Sequence, residues 1–482
     1  MSRIVLVSNR VGDVSKAALA GGVVIAIADV LRDRGGLWLG WSGKIGEKCE
    51  ESRTTPDFQE MDGATIATLP LSHREYRDYY LGYSNAVLWP VFHTRLDLAQ
   101  FEAGYYQRYS EVNRRFAQTL LPLLKPDDTI WIHDYHMIPL GLELRKLGIR
   151  NPIGFYLHIP VPPAQLFMAI PEYRELARCL AAYDLIGLQT RADCSNMLDF
   201  FRSAVFGRML QDGRMRVFDR EISIKSFPVG IDMDSFLESR PKRTNESAPS
   251  TVRLIGVDRL DYTKGLPQKF RAFGRFLEKY SDYRRKVVLS QIAPPTRESV
   301  VAYADIRNEL ECLSGMINGK LGELDWVPIH YIHRSSPRHL LVDIYQNSRI
   351  GFVTPLRDGM NLVAKEYIAA QDPEDPGVLI LSRFAGAAEQ MKQALIVNPY
   401  DVEEMADTIK VALEMGQQER KDRHRALING IRSYDTFWWC RAFLAELDAV
   451  ANAKGSQSFG LPAELTPKPI EKIELASRLE QN

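Results

Sequence analysis

Ile350-Gly351-Phe352-Val353-Thr354-Pro355-Leu356-Arg357-Asp358-Gly359-Met360-Asn361-Leu362-Val363-Ala364-Lys365-Glu366 is the stretch that decides the fold. Ile350 to Val353 form a short continuous apolar run, as expected of a strand buried on both faces, and a helical pattern follows within a few residues. A strand that feeds a helix through such a turn is a ligand-binding corner of a parallel sheet. Asp358 and Gly359 are expected where the helix begins. There, free N–H groups face an anionic ligand and Gly359 lets it approach the backbone. Glu366, one turn in, is suited to accept hydrogen bonds from paired sugar hydroxyls. The plainer alternative is an ordinary helix start with Asp358 as N-cap.

A second segment weighs against that alternative. Val257-Asp258-Arg259-Leu260-Asp261-Tyr262-Thr263-Lys264-Gly265 also follows an apolar strand, Val252 to Val257, and precedes a helix. It brings two cations, Arg259 and Lys264, to a strand's carboxyl end. In an open parallel sheet two such turns share one crevice, which suits a diphosphate.

Outward from these turns, short apolar strands alternate with longer helical patterns, as in βαβ units. A first run has strands near Ile4 to Val7, Leu37 to Trp41, Thr129 to His133, Ile153 to Leu157 and Leu185 to Leu188. A second has them near Val252 to Val257, Val287 to Ile292, Pro328 to Ile332, Ile350 to Val353, Val378 to Leu381 and Leu395 to Val397. Between the runs, Pro241 to Thr251 (PKRTNESAPST) is polar and without periodicity, an exposed linker. Ser336 and Pro337 predict a capped start with an N1 proline for an Arg338 to Asn347 helix. Asp401 and Glu404 read as a capping box for a helix to Met415. The fold class is therefore α/β, with two Rossmann-like doubly wound domains and a cleft between them.

Composition narrows the function. At 482 residues the chain exceeds one ordinary core. Lys plus Arg and Asp plus Glu number 61 each, so no bulk charge points to nucleic acid or an anionic membrane, and phosphate affinity must come from local clusters. Cys49, Cys179, Cys194, Cys312 and Cys440 are scattered without a CxxC pair, which predicts a reduced, cytoplasmic setting. No leader is expected from Met1-Ser2-Arg3, and no apolar run approaches the roughly 20 residues of a membrane span.

The segments VDRLDYTKG and PLRDGMNLVAKEY resemble signatures of the trehalose-6-phosphate synthases, a family of retaining glycosyltransferases. So do, in the expected order, Val7-Ser8-Asn9-Arg10, Ala20-Gly21-Gly22, Ser84-Asn85-Ala86-Val87-Leu88-Trp89-Pro90, Trp131-Ile132-His133-Asp134-Tyr135-His136, Leu157-His158-Ile159-Pro160 and Ser290-Gln291-Ile292-Ala293-Pro294. The likeness implies GT-B architecture. The expected divisions are an acceptor-binding domain at 1–240, a linker at 241–251 and a nucleotide-sugar domain at 252–435. A helix at 436–455 crosses back to the first domain, and 456–482 form a loose tail.

The implied reaction moves glucose from a nucleoside diphosphate glucose, UDP-glucose foremost, to glucose 6-phosphate, giving trehalose 6-phosphate. Fixed donors must stabilise the departing diphosphate, and each can be worth about 3 to 4 kcal/mol. Arg259, Lys264 and the helix start through Gly359, Met360, Asn361, Leu362 and Val363 supply them, so no metal or other cofactor is expected. Gly21 and Gly22 open the first long helix toward the same phosphates. Ser336 is expected beside the base; some relatives carry a bulkier residue there, so the base is not fixed.

Asp134 ends a strand where a carboxylate accepts hydrogen bonds from acceptor hydroxyls. The resemblance implies that Arg10, Tyr80, Trp89 and Arg297 surround glucose 6-phosphate, its phosphate gripped by both arginines and Tyr80. It also puts His158 nearest the donor glucose, with Asp358 on other hydroxyls. Retention by same-face attack is implied, with the donor diphosphate taking the acceptor's proton.

Two metal readings compete and are disfavoured: the Asp232-Met233-Asp234 DxD, and His133 with Asp134 and His136, which lack a convincing third ligand. Alternative functions are glucosylation of glycerol 3-phosphate on the same scaffold, as in a glucosylglycerol-phosphate synthase, and a non-catalytic sugar-phosphate sensor. Expected partners are small-molecule substrates, with neither nucleic acid nor membrane. The sequence allows a homo-oligomer without specifying it. No acidic phosphatase signature follows, so a separate phosphatase is expected downstream.

Overall fold

The computed structural model describes residues 2–11, 31, 35–46, 53–61, 63–238, 251–296 and 301–455. Gly21, Gly22 and Arg297, most of the linker and the 456–482 tail lie outside them.

The first sheet contains β1 (Ile4–Arg10), β2 (Gly36–Gly46), β3 (Asp57–Met61), β4 (Ala64–Ser72), β5 (Thr129–His133), β6 (Ile153–Tyr156), β7 (Leu185–Leu188), β8 (Arg208–Met209), β9 (Met215–Val217) and β10 (Arg220–Ser226). Their order is β3-β4-β2-β1-β5-β6-β7-β10-β9-β8. Pairing is parallel from β4 to β10 and antiparallel at both edges. The second sheet is wholly parallel: β11 (Val252–Val257), β12 (Val287–Ile292), β13 (Ile329–Ile332), β14 (Ile350–Val353), β15 (Val378–Ser382) and β16 (Leu395–Val397), in the order β13-β12-β11-β14-β15-β16.

Both sheets reverse their winding once, between β1 and β5 and between β11 and β14. At such a point the connections on either side leave toward opposite faces, and a crevice opens beyond the carboxyl ends. Arg10 and Asp134 leave the first switch point, and the two diagnostic turns leave the second. These are the two doubly wound units expected from the sequence.

β5, β7, β11, β12 and β14 fall where continuous apolar runs place them, because interior parallel strands are buried on both faces. The antiparallel margins of the first sheet, with the strands they pair to, do not announce themselves so. β3 (DFQEM) and β10 (REISIKS) carry charges on a solvated face, and the sequence reading misses them along with β4, β8 and β9. Two caps also differ. Pro337, not Ser336, occupies the N-cap position of the Arg338–Gln346 helix, with no side-chain cap. Asp401 does accept from Glu404 N at 2.9 Å, but Glu404 turns outward to accept from Asn398 N, so only half a capping box forms.

The Thr436–Gly455 helix lies on the first sheet. Trp439 and Phe443 meet Trp131 at 5.0 and 4.7 Å and Tyr156 at 5.0 and 5.9 Å between ring centres. Each such aromatic buries enough surface for about 1.5–3 kcal/mol. Thr436 Oγ1 donates to Gly230 O at 3.0 Å, tying together the two places where the chain passes between sheets. Among the described residues no helix is long and apolar enough to cross a membrane.

Candidate active site

On the first sheet, Arg10 closes β1, paired in register with Trp41 of β2, and its guanidinium lies 5.7 Å from the Trp41 ring. Trp41 also meets Tyr80 at 5.4 Å. Tyr80 belongs to an uncommon wide helix, Tyr76–Leu88 with π-type hydrogen bonding, and stacks on Tyr76 at 5.3 Å and His136 at 5.8 Å. Such widened turns concentrate at functional sites because they rotate side chains away from α-helical positions. Trp89 follows, buried in place, with His93 4.1 Å away.

Asp134 ends β5 with φ 73 and ψ 165, a region otherwise left to glycine. Its Oδ1 accepts from His158 N at 3.3 Å. Holding a Cβ-bearing residue there costs about 1–3 kcal/mol. Asp134→Gly should therefore be more stable than Asp134→Ala by about that amount, since both lack the carboxylate and only alanine keeps the strain. Equal thermal unfolding temperatures for the two variants would contradict this.

On the second sheet the first diagnostic turn needs correction. Its helix runs Leu362–Ala370, capped by Asn361, whose side chain accepts from Ala364 N at 3.1 Å. Asn361 reaches this position with φ +82, which asparagine tolerates better than most residues. Asp358 and Gly359 therefore stand before the helix, and the Asp358 N–H is taken by Phe384 O at 3.1 Å. The Asp358 carboxylate instead accepts from Lys264 Nζ at 2.5 Å and Asn361 Nδ2 at 3.0 Å, so the two turns are joined by an ion pair. Burial pulls the Asp358 carboxyl up, but the charge and hydrogen bond of Lys264, with His93 and Asn361, hold it below the usual range.

Glu366 is half-buried. Burial raises its carboxyl, opposed by Arg338, and half-buried Ser336 precedes that arginine by two residues. Met360 is buried, and Leu362 and Val363 are half-buried at the helix start.

The two switch points touch. A Cβ on Gly359 would lie 2.1 Å from His158 O, so this residue, in the second unit, is packed against the backbone of the first. Arg259, exposed at its turn, lays its guanidinium 5.5 Å from the Trp89 ring. Around them, Lys365 Nζ donates to Val229 O at 2.7 Å and Gln390 Oε1 at 2.8 Å, while Arg191 pairs with Glu389 at 2.6 Å.

Arg10, Tyr80, Trp89, Asp134, His158, Arg259, Lys264, Asp358 and Gly359 are thus joined by contacts across one cleft. Trp41, Tyr76 and His93 also belong here and were passed over in the sequence, as does His133, weighed there only as a metal ligand. Of these only Trp41 carried a signal, as the aromatic end of a strand beside Arg10. Asp232 of the DxD accepts from Ser235 N at 3.1 Å, the work of a helix cap. Among the described residues no three His, Cys, Asp or Glu side chains gather at ligand spacing.

Burial pushes His158 and His93 down to about 4 and His133 well below the ordinary value. Below about pH 6.5 the unfolded chain takes up protons that the folded histidines refuse, His93 and His158 until about pH 4, so stability falls as pH drops through that window. For His93 alone the shift corresponds to about 3 kcal/mol. Urea midpoints measured from pH 7 to 4 should decline, and His93→Phe should flatten part of the slope; an unchanged slope in that variant would exclude the assignment.

The model of glycosyltransferase family 20 matches residues 8–449. Over 457 residues the chain is 43% identical to a trehalose-6-phosphate synthase of Sodalis glossinidius, covering 93% of this chain and 97% of that protein. An alpha,alpha-trehalose-phosphate synthase (UDP-forming) from Burkholderia vietnamiensis superimposes with a TM-score of 0.90 at 43% identity, covering 94% of this chain and 98% of the other. A Burkholderia xenovorans synthase solved with glucose-6-phosphate does so with a TM-score of 0.86 at 43% identity, covering 93% of this chain and 100% of the other.

Proposed function

Because the chain belongs to glycosyltransferase family 20, we propose that it transfers glucose, with retention, from UDP-glucose to glucose 6-phosphate and so forms trehalose 6-phosphate. The observation that carries this reading is the meeting of two switch-point crevices, a cationic one and an aromatic one, at the His158–Gly359 contact.

In this reading Arg259 and Lys264, with the amides at the Leu362–Ala370 helix start, neutralise the departing diphosphate. Asp358, oriented by Lys264 and Asn361, holds donor hydroxyls, as does His158, and Glu366 receives the nucleoside sugar beside Ser336. Arg10, Tyr80, Trp89 and Arg297 seat the acceptor, whose hydroxyl Asp134 orients. Gly21 and Gly22 complete the donor phosphate site. The acceptor's proton passes to the leaving diphosphate, so no side chain forms a covalent intermediate. Charge neutralisation by these groups needs no metal. The product keeps its phosphate, so its dephosphorylation falls to another protein.

Nucleotide release from UDP-, GDP- and ADP-glucose, with and without glucose 6-phosphate, tests the reaction. Release that requires glucose 6-phosphate, persists after chelation and yields a non-reducing disaccharide phosphate is expected. Binding without release, or release driven only by glycerol 3-phosphate, would replace the reading. Arg10→Ala should raise the KM for glucose 6-phosphate about ten- to hundredfold while sparing that for the donor, from the loss of a charged hydrogen bond worth about 1.5–3 kcal/mol. An unchanged acceptor KM would remove Arg10 from the acceptor pocket.

A further inference from the structure

His133 ends β5, one strand in from His158, and is almost wholly buried. Its Nδ1 lies 3.0 Å from His158 Nε2. The ring centres are 5.3 Å apart and the planes differ by only 21°. That separation is the N···N distance lengthened by one ring radius at each end, so the rings meet edge to edge along a straight hydrogen bond.

One nitrogen of the pair must donate and the other accept, and the surroundings choose between them. His133 Nε2 is buried without a partner. Beside it, 4.5 Å away between ring centres, lies Trp131, whose buried indole N–H also lacks a partner and can only donate. If His158 donated to His133, neutral His133 would carry its proton on Nε2 and add another buried orphan donor, at a cost of about 1–3 kcal/mol. If His133 donates, Nε2 is left with a lone pair on the side of the ring that meets Trp131, and no orphan donor is added. His158 Nδ1 is neither hydrogen-bonded nor sealed from solvent, so it is the free edge of the pair.

We propose that His133 is a positioning residue that donates its Nδ1–H to His158 Nε2 and locks His158 as the Nδ1–H tautomer, so that its free edge presents a hydrogen-bond donor to a hydroxyl of the donor sugar. The part that concerns the sugar rests on the glucosyl-transfer reading above; the tautomer does not. Burial, which keeps both rings neutral, agrees with this arrangement. The backbone is pinned as well: His158 N donates to Asp134 and Gln189 Nε2 donates to His158 O at 3.4 Å. His158 is thereby fixed in direction, and His133 fixes which of its atoms carries hydrogen.

The test is ring-nitrogen NMR on the full chain labelled with ¹⁵N-histidine, assigned with His133→Asn and His158→Asn, together with kinetics. Both rings should show a protonated Nδ1 and a lone-pair Nε2. His133→Phe, which keeps a flat ring but cannot donate, should release His158 to the Nε2–H form. It should also lower kcat/KM for UDP-glucose about ten- to hundredfold, leaving the glucose 6-phosphate KM in place. His133→Asn, which restores a donor near the Nδ1 position, should recover most of that loss. A protonated Nε2 on wild-type His158 overturns the proposal even if the chain proves not to be a glucosyltransferase. A changed tautomer with undiminished donor kinetics overturns the sugar contact.

Discussion

Gly359→Ala is expected to reduce turnover at least a hundredfold while leaving both sheets folded. The added methyl would sit 2.1 Å from His158 O and 3.1 Å from both His158 C and Ile159 Cα. All three are backbone atoms, so no side chain can swing aside. Gly386 lies on the other side, where a Cβ would stand 1.8 Å from Gly359 O, and the turn cannot retreat that way. What can yield is the distance between the units. Displacement of reacting groups by about 1 Å costs on the order of a hundredfold, since the two substrates are held by opposite walls. Small-angle scattering should show a more open particle with substrates present, and the unfolding temperature should shift by only a few degrees. Near-normal turnover in this variant would mean that the closed contact is not the reacting state.

Lys264→Met should be the most damaging side-chain change. It removes a cation assigned to the diphosphate and strands Asp358, whose partly buried carboxylate then keeps, among the described residues, only the Asn361 amide as a hydrogen-bond donor. Breaking one half of such a pair costs about 3–5 kcal/mol. Lys264 supplies the largest of the influences that hold the Asp358 carboxyl down, so without it that carboxyl rises. Stability should then improve when Asp358 is neutralised: Lys264→Met with Asp358→Asn should unfold at higher urea than Lys264→Met alone, although both remain inactive. Additive losses in this double-mutant cycle would show that the 2.5 Å contact carries no coupling energy.

Strand positions in the centres of both sheets were legible because strands covered on both faces must be apolar throughout, as Val287–Ile292 and Ile350–Val353 are. The start of the Leu362–Ala370 helix was not. Asp358-Gly359 and Asn361 are competing caps by residue type, and the choice was made by tertiary bonds: Phe384 O takes the Asp358 amide and Lys264 takes its carboxylate. Asp134 could be placed at a strand end, but its glycine-like backbone is imposed by neighbours and leaves no mark in the sequence. The His133–His158 bond is intermediate. Pairing His133 with Tyr156 in register puts His158 two residues further on beside it, and that register follows only once β5 and β6 are known to be neighbours.

The helix that seals the first sheet is made after every strand of both sheets. Trp131 and Tyr156 leave the ribosome long before Trp439 and Phe443, which cover them. The second sheet and its helices, complete by Ser433, are therefore free to close while the earlier half still shows an aromatic face, the kind of exposed surface on which nascent chains aggregate. A stop codon just before Thr436 would spare every residue assigned to the substrates and still yield a protein unable to finish its own N-terminal half.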